Sequence, residues 1–518
     1  MNFLIHLYSI AKNKLKQKYI VFVTFFFIFV FHLWSLMRFP PPFVDEVWLI
    51  SRAWTYLRTG INFGQLDRGI LEIFDGYWTF FPWFQTWLYS IGLKLAGAPL
   101  LLPLRLISLL FGFILLVAVF FISKRYLSVR EAVIAVVLLS LSSVFSYSAH
   151  LARADIIVAA LGFGAIGLYL NNSLPYSWSN FLSGLFLGIA IEIHPNAVIY
   201  LPILGIMYFF DYGLGFINKY KFWTFVGGLI ISSYIYFVLH IHQYPDTFFS
   251  LMGLFGGDAR LPPIFTPHFQ NIINELVITG KSLSKILLLQ ILFVVWQIGI
   301  ILKRKNKKRK FLVIIAFVLF LGFSFLIKNK AGYYLILIAP IFYIILASFL
   351  DEFISKPREN TLLSRTKFIL VWVSVLTAII LNGMTHLRNH YEDYEVAHEK
   401  LAKYIHSTDT IMGSQTYWLD LPENIYYSWE QLAFYKSLKP TETFSERLEY
   451  FKPNIFIIDS HLDSFITDYP EELPYSGVIS IPRKELFALL DEKANLISEY
   501  TTPSYGTIQV YRIWWDEE

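Results

Sequence analysis

Long apolar segments separated by short polar ones dominate the sequence as far as residue 384. A helix needs about 20 apolar residues to cross the hydrocarbon core of a bilayer. A further apolar stretch, residues 80–97, is interrupted by glycine and lysine and predicts an interfacial helix lying along the membrane. The pattern predicts about eleven spanning helices, near residues 19–37, 99–122, 132–149, 156–170, 179–193, 197–212, 223–241, 283–302, 311–327, 333–350 and 367–384.

The pattern of hydrophobic positions changes after about residue 385. A charged stretch from Asn389 to His406 has apolar residues at helical spacing. The runs TDTIMGS, PNIFIID and TIQVYRIW that follow predict short strands, and a helix is predicted at Lys484–Asn495. We therefore predict an α-helical polytopic membrane protein with a small C-terminal α/β domain. The transmembrane domain spans residues 1–385 and the extracytoplasmic domain residues 386–518.

Composition and charge fit a membrane setting. Of the 518 residues, 56% are hydrophobic and 16% are charged, whereas soluble proteins contain about 25% charged residues. The net charge is +5, but the basic residues cluster in short loops between apolar segments, as in KRKNKKRK at 303–310. This placement is typical of cytoplasmic topology anchors and argues against a nucleic-acid partner. It predicts a cytoplasmic N-terminus, an outer loop at 38–97 and a C-terminal domain outside the cytoplasm.

The cysteine content and the N-terminal apolar run restrict the kinds of site and the cellular location further. The chain contains no cysteine, which excludes disulfides, thiolate metal sites and cysteine nucleophiles. The apolar run from Tyr19 to Met37 is too long for a signal-peptide core and no small-residue cleavage site follows it, so it predicts the first span. Together with the short loops, this favours a multi-pass protein of a prokaryotic plasma (inner) membrane.

Ionisable residues near the membrane share one predicted side. Such residues are costly in lipid and point to function. The string PPPFVDEVWLISRAWTYLRTG at 40–60 carries Asp45 and Glu46, and HLARADIIVAALGFGAIGLYL at 150–170 carries Arg153 and Asp155. Asp45 also fits a helix N-cap, and Arg153 and Asp155 also fit a pair that only neutralises itself. The other residues predicted at this outer side are His194, Arg260, Lys328 and Lys330.

The order of these motifs carries a resemblance. A span, an outer loop with the DE pair, the amphipathic FFPWFQTWLYSIGLKLAG, the span PLRLISLLFG and then ARAD before another span resemble the GT-C superfamily of glycosyltransferases. The resemblance covers roughly residues 15–350. It is closer to the protein mannosyltransferase and aminoarabinose-transferase branch, which uses polyprenyl-phosphate sugars. The chain departs from that branch at Phe81-Pro82, where members carry a charge, and at His194, where many have lysine.

The resemblance implies roles for individual residues. Asp45 matches the general base, and Asp155 matches a second acid that shapes the pocket, with Glu46 beside them as a further catalytic candidate. The implied donor phosphate-binding residues are Arg153, His194, Arg260, Lys330, Tyr333 and Tyr334. No cofactor is expected to be required, although a divalent metal on the outer loops stays open, with Asp75 and His268 as candidate ligands. Trp78, Trp83 and Trp87 are candidates for sugar stacking or for an aromatic belt.

The predicted function follows from this set. We expect a membrane glycosyltransferase that moves a sugar from a polyprenyl-phosphate donor to an acceptor hydroxyl of a lipid, glycan or protein at the extracytoplasmic face. The anomeric centre is expected to invert, with Asp45 as base. Two alternatives stay open at this point: a transporter or lipid flippase, and a polysaccharide polymerase or ligase that uses diphosphate-linked donors.

Overall fold

The structure is a computed structural model. It describes residues 2–70, 72, 75–76, 78–79, 81–171, 175–256, 284–327, 332–355, 362–433, 439, 441–469 and 480–515.

Helices account for most of the described chain. The helices up to residue 387 are α1 (Asn2–Ser35), α2 (Val44–Thr59), α3 (Trp83–Ala96), α4 (Leu101–Tyr126), α5 (Val129–Ser140), α6 (Ser143–His150), α7 (Ala154–Tyr169), α8 (Tyr176–Ile193), α9 (Leu201–Tyr212), α10 (Tyr220–Tyr236), α11 (Pro245–Gly256), α12 (Ser284–Lys303), α13 (Lys307–Leu326), α14 (Ala339–Ser355) and α15 (Leu362–Leu387). Short 3-10 helices lie at Gln65–Asp67, Pro195–Tyr200, Gly213–Asn218, Gly332–Leu337 and Gln415–Asp420, and a π-helix at Phe237–His242.

A mixed sheet follows the helical part. The later helices are α16 (His390–Leu401), α17 (Glu430–Ala433), α18 (Phe444–Phe451), α19 (Ser460–Asp463) and α20 (Arg483–Lys493). The strands are β1 (Thr410–Gly413), β2 (Ile425–Ser428), β3 (Ile455–Ile458), β4 (Ile466–Thr467), β5 (Ile481–Pro482), β6 (Ala494–Thr502) and β7 (Gly506–Ile513). We call residues 390–515 the C-terminal region.

Each of the eleven predicted spans coincides with helical structure. Within the described residues, five helices are long and apolar enough to cross a membrane, and six if one bent pair counts as a single span. That pair is α5 and α6, which meet at an angle of 65°, so the predicted continuous span at 132–149 is broken. The break has a local cause, because Ser142 accepts the backbone N–H of Phe145 and starts a new helix. The chain is a multi-pass membrane protein; the exact count of eleven spans stays a prediction.

Two helices pack at very short range through glycines. In α8 and α10, a Cβ added at Gly184 would overlap the carbonyl oxygen of Phe225, and one added at Gly228 would overlap that of Phe181. Small residues that let helix backbones approach closely are the usual means of helix association in lipid. The contact between α8 and α10 therefore depends on the missing side chains of these glycines.

Gly228→Ala should weaken this contact. The added methyl group has to displace the backbone of α8, and overpacking of this kind costs about 1–3 kcal/mol. Gly227→Ala in the same helix is the control, because a Cβ there meets nothing within 4 Å. Thermal unfolding in detergent should show a lower midpoint for Gly228→Ala and an unchanged or higher one for Gly227→Ala. Equal midpoints for the two variants would contradict the packing.

The sheet of the C-terminal region has the strand order β2-β1-β3-β7-β6. Strands β2, β1 and β3 run parallel, whereas β7 is antiparallel to both β3 and β6. The predicted strands match β1, β3 and β7, while β2 and β6 were missed. The helix predicted to reach Asn495 ends at Lys493, because the residues that follow pair with β7 as strand β6. The charged helix predicted at 389–406 ends earlier, at Leu401.

The C-terminal region packs on the segment that follows α2. Trp418 donates its indole N–H to the Gln65 side chain at 2.8 Å, and Gln65 donates to the carbonyl oxygen of Asn424 at 2.7 Å. Glu72 pairs with Lys439 at 2.6 Å and with Arg447 at 2.5 Å. Despite burial, which opposes it, these two bonds lower the pKa of Glu72. The part of the outer loop that follows α2 is therefore fixed to the C-terminal region by hydrogen bonds and charge.

Candidate active site

The first part of the site is the start of α2. Three prolines precede it, and its N-cap is Phe43 in an extended conformation. The Glu46 carboxylate accepts the backbone N–H of Phe43 at 3.1 Å, so Glu46, three positions into the helix, provides the cap. The alternative in which Asp45 is the N-cap is therefore wrong. Asp45 lies in the first turn, and its side chain is 35% exposed.

A buried ion pair fixes this turn. Arg105 of α4 donates to both Glu46 oxygens, at 3.0 and 2.7 Å, and both side chains are fully buried. Glu46 also accepts the backbone N–H of Ala152 at 2.7 Å. The remaining donors of Arg105 bond the carbonyl oxygens of Leu36, Pro40 and Pro41 at 3.1, 3.0 and 3.3 Å. The contacts of Glu46 are those of a positioning group, and its predicted catalytic role stays untested.

Arg153 brings the two motifs together. It precedes α7 and contacts the carboxylate of Asp45 directly, while its Nε donates to Asp155 at 2.9 Å. Its guanidinium also lies over the ring of Tyr333, 3.8 Å from the centroid, a geometry that favours a cation. Burial opposes the charge, but Asp155 and the tyrosines raise the pKa of Arg153 above its usual value. Arg153 and Asp155 do form the pair expected from sequence, and Asp45 joins it.

His194 and Tyr334 lie beside this cluster. The two rings are 5.5 Å apart, and the Tyr334 hydroxyl is 3.5 Å from His194 Nε2. Burial lowers the pKa of His194 although the nearby Asp155 carboxylate raises it. His194 Nδ1 accepts the backbone N–H of Asn196 at 3.2 Å, so in the neutral ring the proton sits on Nε2, facing Tyr334. His194 is therefore a neutral donor at this position rather than the cation that lysine would supply.

The predicted helix at 80–97 is present as α3, at Trp83–Ala96, and its interfacial position stays a prediction. Its first two backbone N–H groups, those of Trp83 and Phe84, bond the buried Glu192 at 2.6 and 3.4 Å. Glu192 therefore holds the start of α3 against α8, and it also bonds His240 at 3.0 Å. Large apolar side chains at helical spacing are exposed along one face, as expected for contact with lipid: Trp87, Ile91 and Leu95.

The charge missing at Phe81-Pro82 is not restored by a nearby free cation among the described residues. The Arg52 guanidinium lies 3.1 Å from the Phe81 ring centroid, but it forms a buried ion pair with Asp67 at 2.9 Å. Trp78 stacks on Phe81 at 5.0 Å. This part of the outer loop is thus an aromatic cluster around a neutralised arginine. Trp83 lies outside this cluster, because its ring packs edge-on against that of Tyr56 at 5.8 Å.

Several predicted residues fall elsewhere. Asp75 accepts the backbone N–H of Gly69 at 3.2 Å, and burial raises its pKa. Across the described ranges no group of three or more acidic or histidine side chains is arranged to hold a metal ion. The remaining predicted residues lie outside the described ones: Arg260, His268, Lys328 and Lys330.

An apolar cavity lies between α12, α13 and α14. Its volume is about 440 Å³ and its walls are almost entirely apolar. The wall begins at Leu335 and Ile338, directly after the two tyrosines in the chain, and continues between α12, α13 and α14 along Val294, Phe317, Phe342 and Leu346. A charged cluster that is followed in the chain by the wall of an apolar cavity suits a ligand with a polar head and a long hydrocarbon chain.

Comparisons with known proteins show what the chain is similar to. The family model described as dolichyl-phosphate-mannose-protein mannosyltransferase matches residues 81–240. A comparison with curated protein sequences finds no match.

Solved structures match over nearly the whole chain. ArnT from Cupriavidus metallidurans, bound to undecaprenyl phosphate, is similar over 94% of this chain and 97% of its own, with a TM-score of 0.60 and 14% identity. The oligosaccharyltransferase AglB from Archaeoglobus fulgidus, in complex with an inhibitory peptide and a dolichol-phosphate, is similar over 97% of this chain and 75% of its own, with a TM-score of 0.53 and 14% identity. The arabinofuranosyltransferase AftD from Mycobacteria is similar over 96% of this chain and 40% of its own, with a TM-score of 0.52 and 12% identity.

The chain therefore has the fold of these membrane glycosyltransferases, and residues 81–240 match the mannosyltransferase family model. The resemblance to the GT-C superfamily, and to the branch of the protein mannosyltransferases and aminoarabinose transferases, is confirmed.

Sequence reasoning missed three residues that hydrogen-bond the segments around the site. Arg105 was visible as an arginine inside a predicted span, which is itself a signal, but its partners lie 59 residues or more away in the chain. Glu192 carried the same signal near the end of its predicted span. Tyr505 carried no local signal, because its contact with the outer loop joins residues 463 positions apart.

Glu46→Gln should destabilise the protein strongly. It leaves the Arg105 guanidinium buried without a counter-charge, which costs about 3–5 kcal/mol. The matched control is Glu352→Gln, since Glu352 pairs with an Arg304 side chain that is 40% exposed and such pairs contribute less than about 1 kcal/mol. Thermal unfolding in detergent measures both variants. A similar loss of stability in the two would show that the buried pair is no more important than an exposed one.

Proposed function

We propose that this protein transfers a sugar from a polyprenyl-phosphate donor to an acceptor hydroxyl at the extracytoplasmic face of the membrane, with inversion. The observation that carries the proposal is the contact of Asp45 and Asp155 with Arg153, next to Tyr333, which comes two residues before the cavity-lining Leu335. The cluster combines an accessible carboxylate, a fixed cation and a place for a hydrocarbon chain. These are the groups that such a transfer needs.

Asp45 is proposed as the general base. Of the three carboxylates in the cluster, its side chain is 35% exposed, whereas those of Asp155 and Glu46 are 3% and 0% exposed. A hydroxyl is a poor nucleophile and gains from a carboxylate within hydrogen-bond reach. The acceptor oxygen would form a bond to the anomeric carbon as the bond to the phosphate oxygen breaks. The hydroxyl proton passes to Asp45, and polyprenyl phosphate leaves with the bonding electrons.

The donor phosphate is proposed to lie on the Arg153 side of the cluster. A fixed guanidinium stabilises the charge that develops on a departing phosphate. Tyr334 and the Nε2–H of His194 would add neutral donors. Arg260 and Lys330, outside the described residues, remain predicted phosphate ligands. The solved relatives named above, ArnT and AglB, are bound to undecaprenyl phosphate and a dolichol-phosphate, respectively, which supports this class of donor.

The isoprenoid chain would enter the cavity between α12, α13 and α14. The walls that follow Tyr334 in the chain are apolar, so an isoprenoid chain can displace lipid there without burying a polar group. The sugar–phosphate bond would then lie beside Asp45. An acceptor hydroxyl of a lipid, glycan or protein would approach from the exposed side of that carboxylate.

The proposed sidedness rests on the basic loops. The run at 303–310 joins the ends of α12 and α13 that lie away from the Arg153 cluster, and basic loops stay in the cytoplasm. The cluster and the C-terminal region would then face outward, in a plasma (inner) membrane. No step in this mechanism calls for a metal; one oligosaccharyltransferase structure from Archaeoglobus fulgidus is a complex with Zn and sulfate, so metal addition and chelation belong in the assay.

Asp45→Asn should abolish transfer while the protein stays folded. In proteoliposomes supplied with a panel of polyprenyl-monophosphate sugars, release of polyprenyl phosphate should fall by about 10²- to 10⁴-fold, because the base is lost. The control is Asp211→Asn, at the far end of α9, where the carboxylate only bonds Tyr169 at 2.6 Å. Turnover of the Asp45→Asn enzyme close to that of wild type would refute the base. Turnover restricted to diphosphate-linked donors would favour a polymerase or ligase instead.

A further inference from the structure

A hairpin of the C-terminal region reaches the segment that leads into the proposed active site. The Tyr505 hydroxyl, between β6 and β7, donates to the carbonyl oxygen of Pro42 at 3.0 Å. Tyr505 is 7% exposed and packs against the rings of Tyr394 and Tyr417, at 6.3 and 6.1 Å. Burial raises the pKa of its phenol, so the hydroxyl stays protonated and able to donate at physiological pH.

The hairpin itself is held in place. Gly506 has φ +66, and a Cβ there would meet the side chain of Ser460 at 2.7 Å, so the turn requires glycine. The backbone N–H of Ser460 bonds the carbonyl oxygen of Tyr505 at 3.0 Å. The neighbouring Ser504 donates to Asp393 of α16. Tyr505 is therefore presented by a fixed turn rather than by a loose loop.

The segment to which Tyr505 donates has few backbone N–H groups of its own. We call residues 36–43 the proline connector; it contains Pro40, Pro41 and Pro42 in a row. Proline has no backbone N–H, so these residues can be fixed by polar contacts only through their carbonyl oxygens. Arg105 bonds those of Pro40 and Pro41, and Tyr505 bonds that of Pro42.

At the other end of the connector, the C-terminal region makes a second contact. The backbone N–H of His390 donates to the carbonyl oxygen of Arg38 at 2.8 Å, and its ring lies 5.6 Å from that of Phe39. His150 of α6 also bonds the carbonyl oxygen of Phe39, at 2.8 Å. The connector is thus held by α4 and α6 on one side and by α16 and the hairpin on the other. Asp45 follows three residues after Pro42, at the first turn of the helix that the connector starts.

We propose that Tyr505 is a positioning residue for Asp45, through its hydrogen bond to Pro42. This inference rests on the proposed function, because it gives the C-terminal region a part in setting the geometry of the base. A displacement of about 1 Å in a reacting group can cost about 10²-fold in rate. The loss of the Tyr505 hydroxyl is therefore expected to affect turnover more than donor binding.

The test compares Tyr505→Phe with Tyr500→Phe. Tyr500, in the same hairpin, also donates to a main-chain carbonyl oxygen, that of Ala397 at 2.9 Å, but within the C-terminal region. With the polyprenyl-monophosphate sugar that wild type uses, kcat of Tyr505→Phe should fall by about 10-fold or more, with donor KM within about twofold. Hydrogen exchange at the amides of residues 43–47 should become faster. Tyr500→Phe should show neither change.

The outcomes separate this inference from the proposed function. A Tyr505→Phe enzyme within about twofold of wild-type kcat, or a Tyr500→Phe enzyme with the same loss, would overturn the positioning role. If wild type turns over no polyprenyl-phosphate donor, the proposed function fails and the exchange measurement decides alone. Faster exchange at residues 43–47 in Tyr505→Phe, but not in Tyr500→Phe, would then support the fixing of the connector by the Tyr505 hydroxyl. Unchanged exchange would overturn it.

Discussion

The buried ion pair of Glu46 and Arg105 is the contact on which the arrangement of the site depends. Removing two charges from water is costly and is tolerated only where geometry and further hydrogen bonds satisfy both groups. Here the guanidinium satisfies Glu46 and three carbonyl oxygens, and the carboxylate also takes the N–H groups of Phe43 and Ala152. The pair therefore ties together α4, the start of α2 and the link into α7. Asp45 and Arg153 meet because their neighbours, Glu46 and Ala152, are bonded to each other.

The same constraint gives the C-terminal region its place in the molecule. The connector between α1 and α2 is rich in proline and has few N–H groups, so it has to be held by donors from elsewhere. Arg105 supplies some of these donors, and His390 and Tyr505 supply others. Glu72 with Lys439 and Arg447 fixes the segment beyond α2 to the same region. The C-terminal region contributes no group to the proposed chemistry, but its contacts are thus part of the framework that positions the proposed base.

Sequence reasoning recovered what depends on local pattern. The apolar segments gave the positions of the helices, and the ionisable residues at their shared ends gave Asp45, Arg153, Asp155 and His194. The family resemblance added Tyr333 and Tyr334, and the structure does bring these six residues together. It did not recover the break between α5 and α6, because serines inside an apolar run leave its hydropathy almost unchanged. It also missed the two edge strands of the sheet, β2, which is only four residues long, and β6, whose buried and exposed positions do not alternate regularly. Contacts such as that of Tyr505 with Pro42 join residues that no local pattern relates.

The most direct test of the account is a cryo-EM structure of the protein with polyprenyl phosphate bound. We expect the phosphate beside the guanidinium of Arg153, within hydrogen-bond distance of Tyr334 or His194, and the isoprenoid chain between α12, α13 and α14. A phosphate bound away from Arg153, with the contact of Arg153 and Asp45 unchanged, would contradict the proposed site and the mechanism built on it.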